Sequence, residues 1–307
     1  MTSKKKIVNP AHYKAEFLKV FTQLTLKHTF AEVWADFTEL AAIAIHQSVY
    51  FNPAWMPQGQ GLEEKMLPID ETFTKLEDRY KAIAPKYGSE GMALMSKLYV
   101  IAEKAVREHR IDFLGPLYEE LDMGGSAQRG SRGEFFTPAA ISQMMAQIAL
   151  IDADKILEEK GFLTLQEPAV GPGGMVIAVV NQLTALGHNP HEVLFVEAID
   201  VNRTLFNVAY FQISAMDLPG RIWWGNTLTL EMQEWRETPH YKLSRYIWEK
   251  DPCFQMLKFL REMEARVADE DDRGSSDVEI TESEKSIPLP PMPTPTVRDK
   301  NGQLRLF

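Results

Sequence analysis

Cysteine is nearly missing from this sequence, which holds a single one, Cys253, among 307 residues. One thiol excludes an intramolecular disulfide and a zinc site built from several cysteines. Long apolar runs are missing too, since none approaches the roughly 20 residues that a transmembrane helix needs. The basic start Lys4–Lys6 leads into no apolar signal core. We therefore expect a cytoplasmic protein with no membrane contact and no metal.

Positive charge is in short supply, because 33 Lys and Arg residues stand against 43 Asp and Glu, for a net charge of −10. Coating nucleic acid by charge alone requires Lys and Arg to neutralise phosphates. Contact with DNA is then expected to be local or shared with another subunit. The candidate patches are Lys4–Lys6 and Arg129–Arg132, and the alternative for both is an ordinary solvated terminus and loop.

The chain divides by pattern into three segments. Apolar residues at helical spacing predict an all-helical domain over residues 1–125. Strand and helix patterns alternate over residues 126–267, which predicts a partial, Rossmann-like parallel sheet. An acidic and Pro-rich composition predicts a disordered tail over residues 268–307. The predicted fold class is therefore α/β with an N-terminal helical domain and a disordered C-terminal tail.

A glycine-rich stretch, Glu167–Gly174, connects an apolar strand candidate, Phe162–Gln166, to an apolar helix candidate, Met175–Leu186. Glycine allows the backbone to approach a ligand closely, and a helix N-terminus offers free N–H groups and the positive end of a dipole. A plain strand–turn–helix corner is the alternative, because Gly-x-Gly-Gly lacks the full dinucleotide-binding spacing.

Two further strands are predicted after this turn, at residues 191–198 and 221–224, with a helix over Arg203–Ala215 between them. The first of the two leads to Asp200, at a place where a ribose hydroxyl pair is commonly held, with Glu197 as the fallback. The second leads to Asn226. A ligand crevice is expected at the carboxyl ends of these strands.

Upstream of the glycine-rich stretch, Phe136, Thr137 and Pro138 precede a predicted helix, Ala139–Leu150. Thr137 is a suitable N-cap and Pro138 suits the first helical position.

Together these stretches, from about Asp112 to Thr229, resemble the adenine-N6 DNA methyltransferases, in particular the modification subunits of type I restriction systems. Asp112–Gly115 and Gly133–Pro138 are similar to the segment before the catalytic fold in that family. Glu167–Gly174 is similar to its Asp-Pro-Ala-Cys-Gly-Ser-Gly-Gly loop. The resemblance implies a class I methyltransferase fold with S-adenosylmethionine as cofactor. The cofactor-binding residues that it implies are Phe136, Thr137, Pro138, Glu167, Ala169, Gly171, Gly173, Gly174, Asp200 and Asn226.

The catalytic signature of that family, Asn or Asp followed by Pro, Pro and an aromatic residue, is missing. The nearest stretches are Asp251–Phe254 and Thr238–Tyr241, and the first also suits a helix N-cap followed by proline. No catalytic residue is assigned. Two functions stay open: an S-adenosylmethionine-dependent DNA adenine-N6 methyltransferase, and an inactive relative that binds cofactor or acts as an adaptor in restriction–modification, anti-restriction or phage defence.

Three predicted strands make only half of a doubly wound sheet, so the first strand is left with an unpaired edge. Either the helical domain and a helix over Tyr246–Arg266 cover that edge, or a second protein subunit completes the sheet.

The last five residues, Gln303–Phe307, resemble the peptide by which bacterial proteins dock on the DNA sliding clamp. The resemblance implies that Leu306 and Phe307 fill one apolar pocket, that Leu304 fills its neighbour, and that Gln303 forms hydrogen bonds at the rim. The alternative is an apolar C-terminus that folds back on its own domain.

Overall fold

A computed structural model describes residues 9–51, 67–121 and 136–250 of the chain. All of these residues belong to one compact unit. The boundaries near residues 125 and 267 remain predictions, and the predicted tail lies outside the described residues.

The first part of the described chain is helical, as the apolar spacing predicts. Its four helices are α1 (Pro10–Leu24), α2 (Phe30–Phe51), α3 (Glu71–His109) and α4 (Leu114–Glu120). The side chains of Asn9 and Asp70 accept hydrogen bonds from the first-turn amides of α1 and α3, respectively, which explains where these helices begin. Helix α3 is broken at Gly88, whose φ of 61° is not helical.

Strands and helices alternate after residue 138. The elements are α5 (Ala139–Ala149), α6 (Ala153–Lys160), β1 (Leu163–Glu167), α7 (Gly174–Ala185), α8 (Pro190–Val193), β2 (Leu194–Asp200), α9 (Arg203–Ala215), β3 (Gly220–Asn226), β4 (Glu231–Glu237) and α10 (Pro239–Lys250).

The sheet has the order β1-β2-β3-β4, with the first three strands parallel and β4 antiparallel to β3. The predicted α/β class, a helical region followed by a partial parallel sheet, is confirmed. Strand β4 was not predicted, because its sequence Glu-Met-Gln-Glu-Trp-Arg-Glu is mostly charged and the strand is largely exposed. Strand β4 approaches β3 closely at Gly225, where a Cβ would lie 2.4 Å from the sulfur of Met232.

Helix α9 lies at the centre of the molecule, and each of its residues from Leu205 to Ala215 is buried. It packs on β2 and β3 on one side and on α2 on the other. Apolar side chains of the N-terminal helices and of the sheet therefore belong to one continuous core, which includes Phe17, Phe37 and Phe211. Burial of this extent is the main source of stability in a chain of this size.

A network of charged side chains ties the N-terminal helices to the sheet. Glu39 of α2 accepts hydrogen bonds from Arg203 of α9 at 2.8 Å and from Arg236 of β4 at 3.3 Å. Glu234 of β4 accepts from Arg236 and Arg79, both at 2.7 Å. Hydrogen-bonded pairing of this kind is what allows charges to be buried at all.

None of the described helices is both long enough and apolar enough to cross a bilayer. Among the described residues no group of three or more His, Cys, Asp or Glu side chains is arranged to hold a metal ion.

Candidate functional site

The carboxyl ends of the three parallel strands meet at one edge of the sheet, where they place Glu167, Asp200 and Asn226. The loops that follow these strands contact one another. Val170 donates its N–H to the carbonyl of Ile199 at 2.9 Å, and the hydroxyl of Thr227 donates to the carbonyl of Pro168 at 2.6 Å. This is the edge at which open α/β sheets form their ligand crevices.

The glycine-rich turn has a backbone that other residues adopt only with strain. Gly171 and Gly173 have φ values of 54° and 104°. A Cβ added at Gly173 or Gly174 would meet no atom of the described residues within 4 Å, so this part of the structure leaves open space beside the turn. Gly173 is the N-cap of α7 and supplies no side-chain acceptor for the first-turn amides. The turn therefore offers both room and backbone donors to a ligand.

Asp200, the predicted ribose ligand, is buried and holds the turn in place. Its Oδ2 accepts from the N–H of Gly171 and its Oδ1 from the N–H of Asn202, each at 2.8 Å.

Glu197, the fallback, lies on the other face of β2, because strand residues alternate sides and three positions separate it from Asp200. Its carboxylate lies 3.8 Å from the guanidinium of Arg221. At most one of the two acids can therefore serve a ligand at the turn, and Asp200 is the one in contact with it.

Of Phe136, Thr137 and Pro138, the structure records Phe136 beside the turn. A Cβ added at Gly171 would be 3.6 Å from the ring of Phe136. The prediction that Thr137 caps the next helix is wrong. Pro138, in extended conformation, is the N-cap of α5, and no side-chain hydrogen bond caps that helix. Thr137 is exposed, and its hydroxyl is not committed to capping.

Glu167 and Asn226, at the ends of β1 and β3, both bond to their own loops. Glu167 accepts from the N–H of Ala169 at 3.3 Å, and burial raises the pKa of its carboxyl. The Oδ1 of Asn226 accepts from the amides of Leu228 and Thr229, at 2.9 and 3.3 Å. Asn226 therefore shapes the β3–β4 loop through its acceptor.

Gln212 and Asp112, which sequence reasoning did not assign to the site, support the turn through hydrogen bonds. Gln212 of α9 is fully buried, and its Nε2 donates to the carbonyl of Pro172 at 2.7 Å and to Asp112 at 2.9 Å. Burial raises the pKa of the Asp112 carboxyl, which also accepts from the N–H of Gly115. The available signal was a polar residue inside an otherwise apolar helix.

The catalytic candidate Thr238–Tyr241 lies at the amino ends of the parallel strands, opposite the end that carries the glycine-rich turn. Thr238 donates its N–H to the carbonyl of Gly220, the first residue of β3, at 3.0 Å. Its buried hydroxyl donates to the carbonyl of Leu218 at 2.7 Å. This stretch starts α10 and cannot reach a ligand at the glycine-rich turn. The other candidate, Asp251–Phe254, lies outside the described residues, as do the basic patches and Gln303–Phe307.

One known protein family has a sequence model that matches the part of the chain containing this site. Residues 109–257 match the family model described as N-6 DNA Methylase, so the match spans α4, the glycine-rich turn and the whole sheet. This part of the chain, just under half of its length, is therefore similar to the N-6 DNA methylases. The match to this model implies S-adenosylmethionine as the cofactor of the matched region.

Two solved structures are similar to the chain, each at 14% sequence identity. One is a putative class I S-adenosylmethionine-dependent methyltransferase from Listeria monocytogenes, with a TM-score of 0.33 over 71% of this chain. The other is a type I restriction-modification system methyltransferase subunit from Streptococcus thermophilus, with a TM-score of 0.38 over 74% of this chain. The matches cover 54% and 61% of those two chains, respectively.

The residues of the turn fit a cofactor of this class. The empty space beside Gly173 and Gly174 is what a bound ligand requires, and the amides of α7 suit its negatively charged groups. Phe136 offers an aromatic ring across Gly171.

Proposed function

We propose that the chain binds S-adenosylmethionine at the glycine-rich turn and acts as a DNA adenine-N6 methyltransferase-like protein. The observation that carries the proposal is the open, two-glycine N-terminus of α7, which Asp200 braces on one side and Phe136 flanks on the other. The bound cofactor would supply a methyl group for transfer to the exocyclic amine of adenine in DNA.

In this proposal the residues of the chain orient the cofactor. Asp200 and Gln212 hold the main chain at Gly171 and Pro172, so the first-turn amides of α7 point in fixed directions. A binding site that is rigid before the ligand arrives loses less entropy on binding. In the same proposal, the hydroxyl of the exposed Thr137 would donate a hydrogen bond to the cofactor or accept one from it.

A second function is favoured by one observation. Within the described residues, the carboxyl edge of the sheet carries no Asn or Asp followed by two prolines and an aromatic residue. Such a site binds cofactor without transferring its methyl group, and the protein then serves as a binding or adaptor subunit in restriction–modification, anti-restriction or phage defence. Both functions share the cofactor site and differ in turnover.

Two measurements separate these functions. Isothermal titration calorimetry with S-adenosylmethionine should show one saturable site on the full chain, and the absence of binding would reject both functions. Transfer of radiolabelled methyl from S-adenosylmethionine to DNA should then be measured for the wild type and for Asp251→Ala. If the wild type labels adenine and Asp251→Ala does not, the result supports the methyltransferase. If the wild type binds the cofactor but transfers no label, the result supports the binding subunit.

We further propose that Gln303–Phe307 docks the protein on a bacterial sliding clamp, which would place it on replicating DNA. Leu306 and Phe307 are the apolar anchors of this segment, so deleting both should abolish capture by immobilised clamp. Surface plasmon resonance with purified clamp measures the effect, with Arg305→Ala as the control because Arg305 is not among the four residues assigned to the contact. Equal capture of the deleted and intact chains would refute the docking.

A further inference from the structure

The two edge strands of the described sheet, β1 and β4, differ in how well they are protected against pairing with another chain. Soluble proteins guard exposed edge strands with charged residues, prolines or bulges, because an open edge pairs readily with other chains. Strand β4 carries such devices. Four of its seven residues are charged, and the register of its pairing with β3 shifts at Trp224/Gly225.

Strand β1, at the opposite edge, carries almost none of them. Its sequence is Leu-Thr-Leu-Gln-Glu, with no lysine, arginine or proline and with its only charge at the end, on Glu167. It pairs with β2 in unbroken register from Leu163 to Glu167. The side chains of Thr164 and Gln166 are exposed. An edge this regular and this weakly charged is suited to pairing with another strand.

Helix α5 packs on α7, the helix that follows β1, and it exposes an apolar face. Only Ser142 and Ala146 of α5 are buried. The large apolar side chains of α5, of the turn after it and of the residue before β1 are between 44% and 75% exposed; they are Ile141, Met144, Met145, Ile148, Ile151 and Phe162. Large apolar patches exposed on a soluble chain mark interaction sites.

The charge pattern favours a second copy of the chain as the occupant. A twofold interface places the same surface on both subunits, so any charge near the axis faces its own kind. Helix α5 contains no charged residue, although the chain as a whole has a net charge of −10. A partner of different sequence that recognised so acidic a chain would instead be expected to use its carboxylates.

The register of β1 is compatible with the same symmetry. Two β1 strands related by a twofold axis through Leu165 run antiparallel, which places Glu167 opposite Leu163 of the second copy and Thr164 opposite Gln166. No like charges lie directly opposite each other, and the two polar residues can form a cross-strand hydrogen bond.

We propose that two copies of this chain pair through the edge of β1 and the apolar face of α5 to form one continuous eight-stranded sheet. This association concerns the edge of the sheet and does not depend on cofactor binding. It answers how the unpaired edge of the half-sheet is covered.

Sedimentation velocity and light scattering on the full chain, over a concentration series, test the proposal. The wild type should approach twice its monomer mass of 34.9 kDa. Ile148→Glu and Gln166→Lys should each weaken dimerisation at least about tenfold, because the first puts a charge against apolar surface and the second puts like charges on diagonal neighbours across the strand pair. Circular dichroism checks that both variants stay folded.

The matched control is Val100→Glu, which puts the same charge on an equally exposed apolar residue of α3. It should dimerise like the wild type. A wild type that stays monomeric throughout the series overturns the proposal, as does a dimer that both Ile148→Glu and Gln166→Lys leave as tight as the control. A monomeric wild type would point to cover by the chain's own segments instead.

Discussion

The substitution Gly173→Asp is expected to lower the affinity for S-adenosylmethionine at least about a hundredfold and to leave the protein folded. The new carboxylate would enter the open space beside the turn and accept hydrogen bonds from the first-turn amides of α7. Those are the donors and the space that the proposed cofactor needs. An acid at an N-cap is also stabilising, which offsets the strain of a side chain at a φ of 104°.

The matched control is Gly161→Asp, at the C-cap of α6. Gly161 also has a positive φ, 78°, and a Cβ there would also meet no atom within 4 Å. The two variants therefore share backbone strain and added charge but differ in position. Calorimetry should show wild-type affinity for Gly161→Asp and none measurable for Gly173→Asp. Equal affinities would mean that the turn is not the cofactor site.

The position of this site could be predicted from sequence because its signals are local. Glycines between an apolar strand and an apolar helix specify a turn with a free helix N-terminus, whatever the rest of the chain does. Likewise, Asp200 could be placed at the carboxyl end of β2 from the strand pattern alone. What that pattern could not give was its role in bracing Gly171, which depends on a contact across 29 residues of sequence.

The features that sequence reasoning missed are those set by distant contacts. Strand β4 reads as polar loop because it lies at the edge and its charged residues pair with other elements, as Glu234 does with Arg79. The support that Gln212 gives to Pro172 depends on how α9 docks beneath the turn. The capping role assigned to Thr137 failed because the extended chain shifts the N-cap to Pro138.

The substitution Arg236→Ala is expected to destabilise the protein by about 3–5 kcal/mol, the cost of leaving buried charges without a partner. The guanidinium of Arg236 is completely buried and pairs with both Glu39 and Glu234. It also lies 4.9 Å from the ring centroid of Phe206, so packing is lost together with charge. Urea unfolding followed by circular dichroism measures the change.

The control for Arg236 is Arg107→Ala on α3, where the arginine side chain is 53% exposed and pairs with Glu103 one helical turn away. Exposed pairs of this kind contribute less than about 1 kcal/mol. A loss at position 236 no larger than the loss at position 107 would show that the network does not stabilise the fold.

The same network sets how stability responds to acid. Burial alone would raise the pKa of Glu234, but hydrogen bonds from Arg79 and Arg236 outweigh it and lower the pKa from 4.5 to about 2. The unfolded chain takes up this proton at the higher pH, so the contribution of Glu234 is complete above about 4.5 and is lost as the pH falls toward 2. Glu39, whose pKa is also lowered, adds to the same trend.

Removing Arg236 should bring the pKa values of Glu39 and Glu234 closer to their ordinary range. The stability of Arg236→Ala should therefore fall less steeply between pH 4.5 and about 2 than that of the wild type. Urea titration at a series of pH values measures both. Parallel slopes for the two proteins would mean that Arg236 does not hold these carboxylates in their charged form.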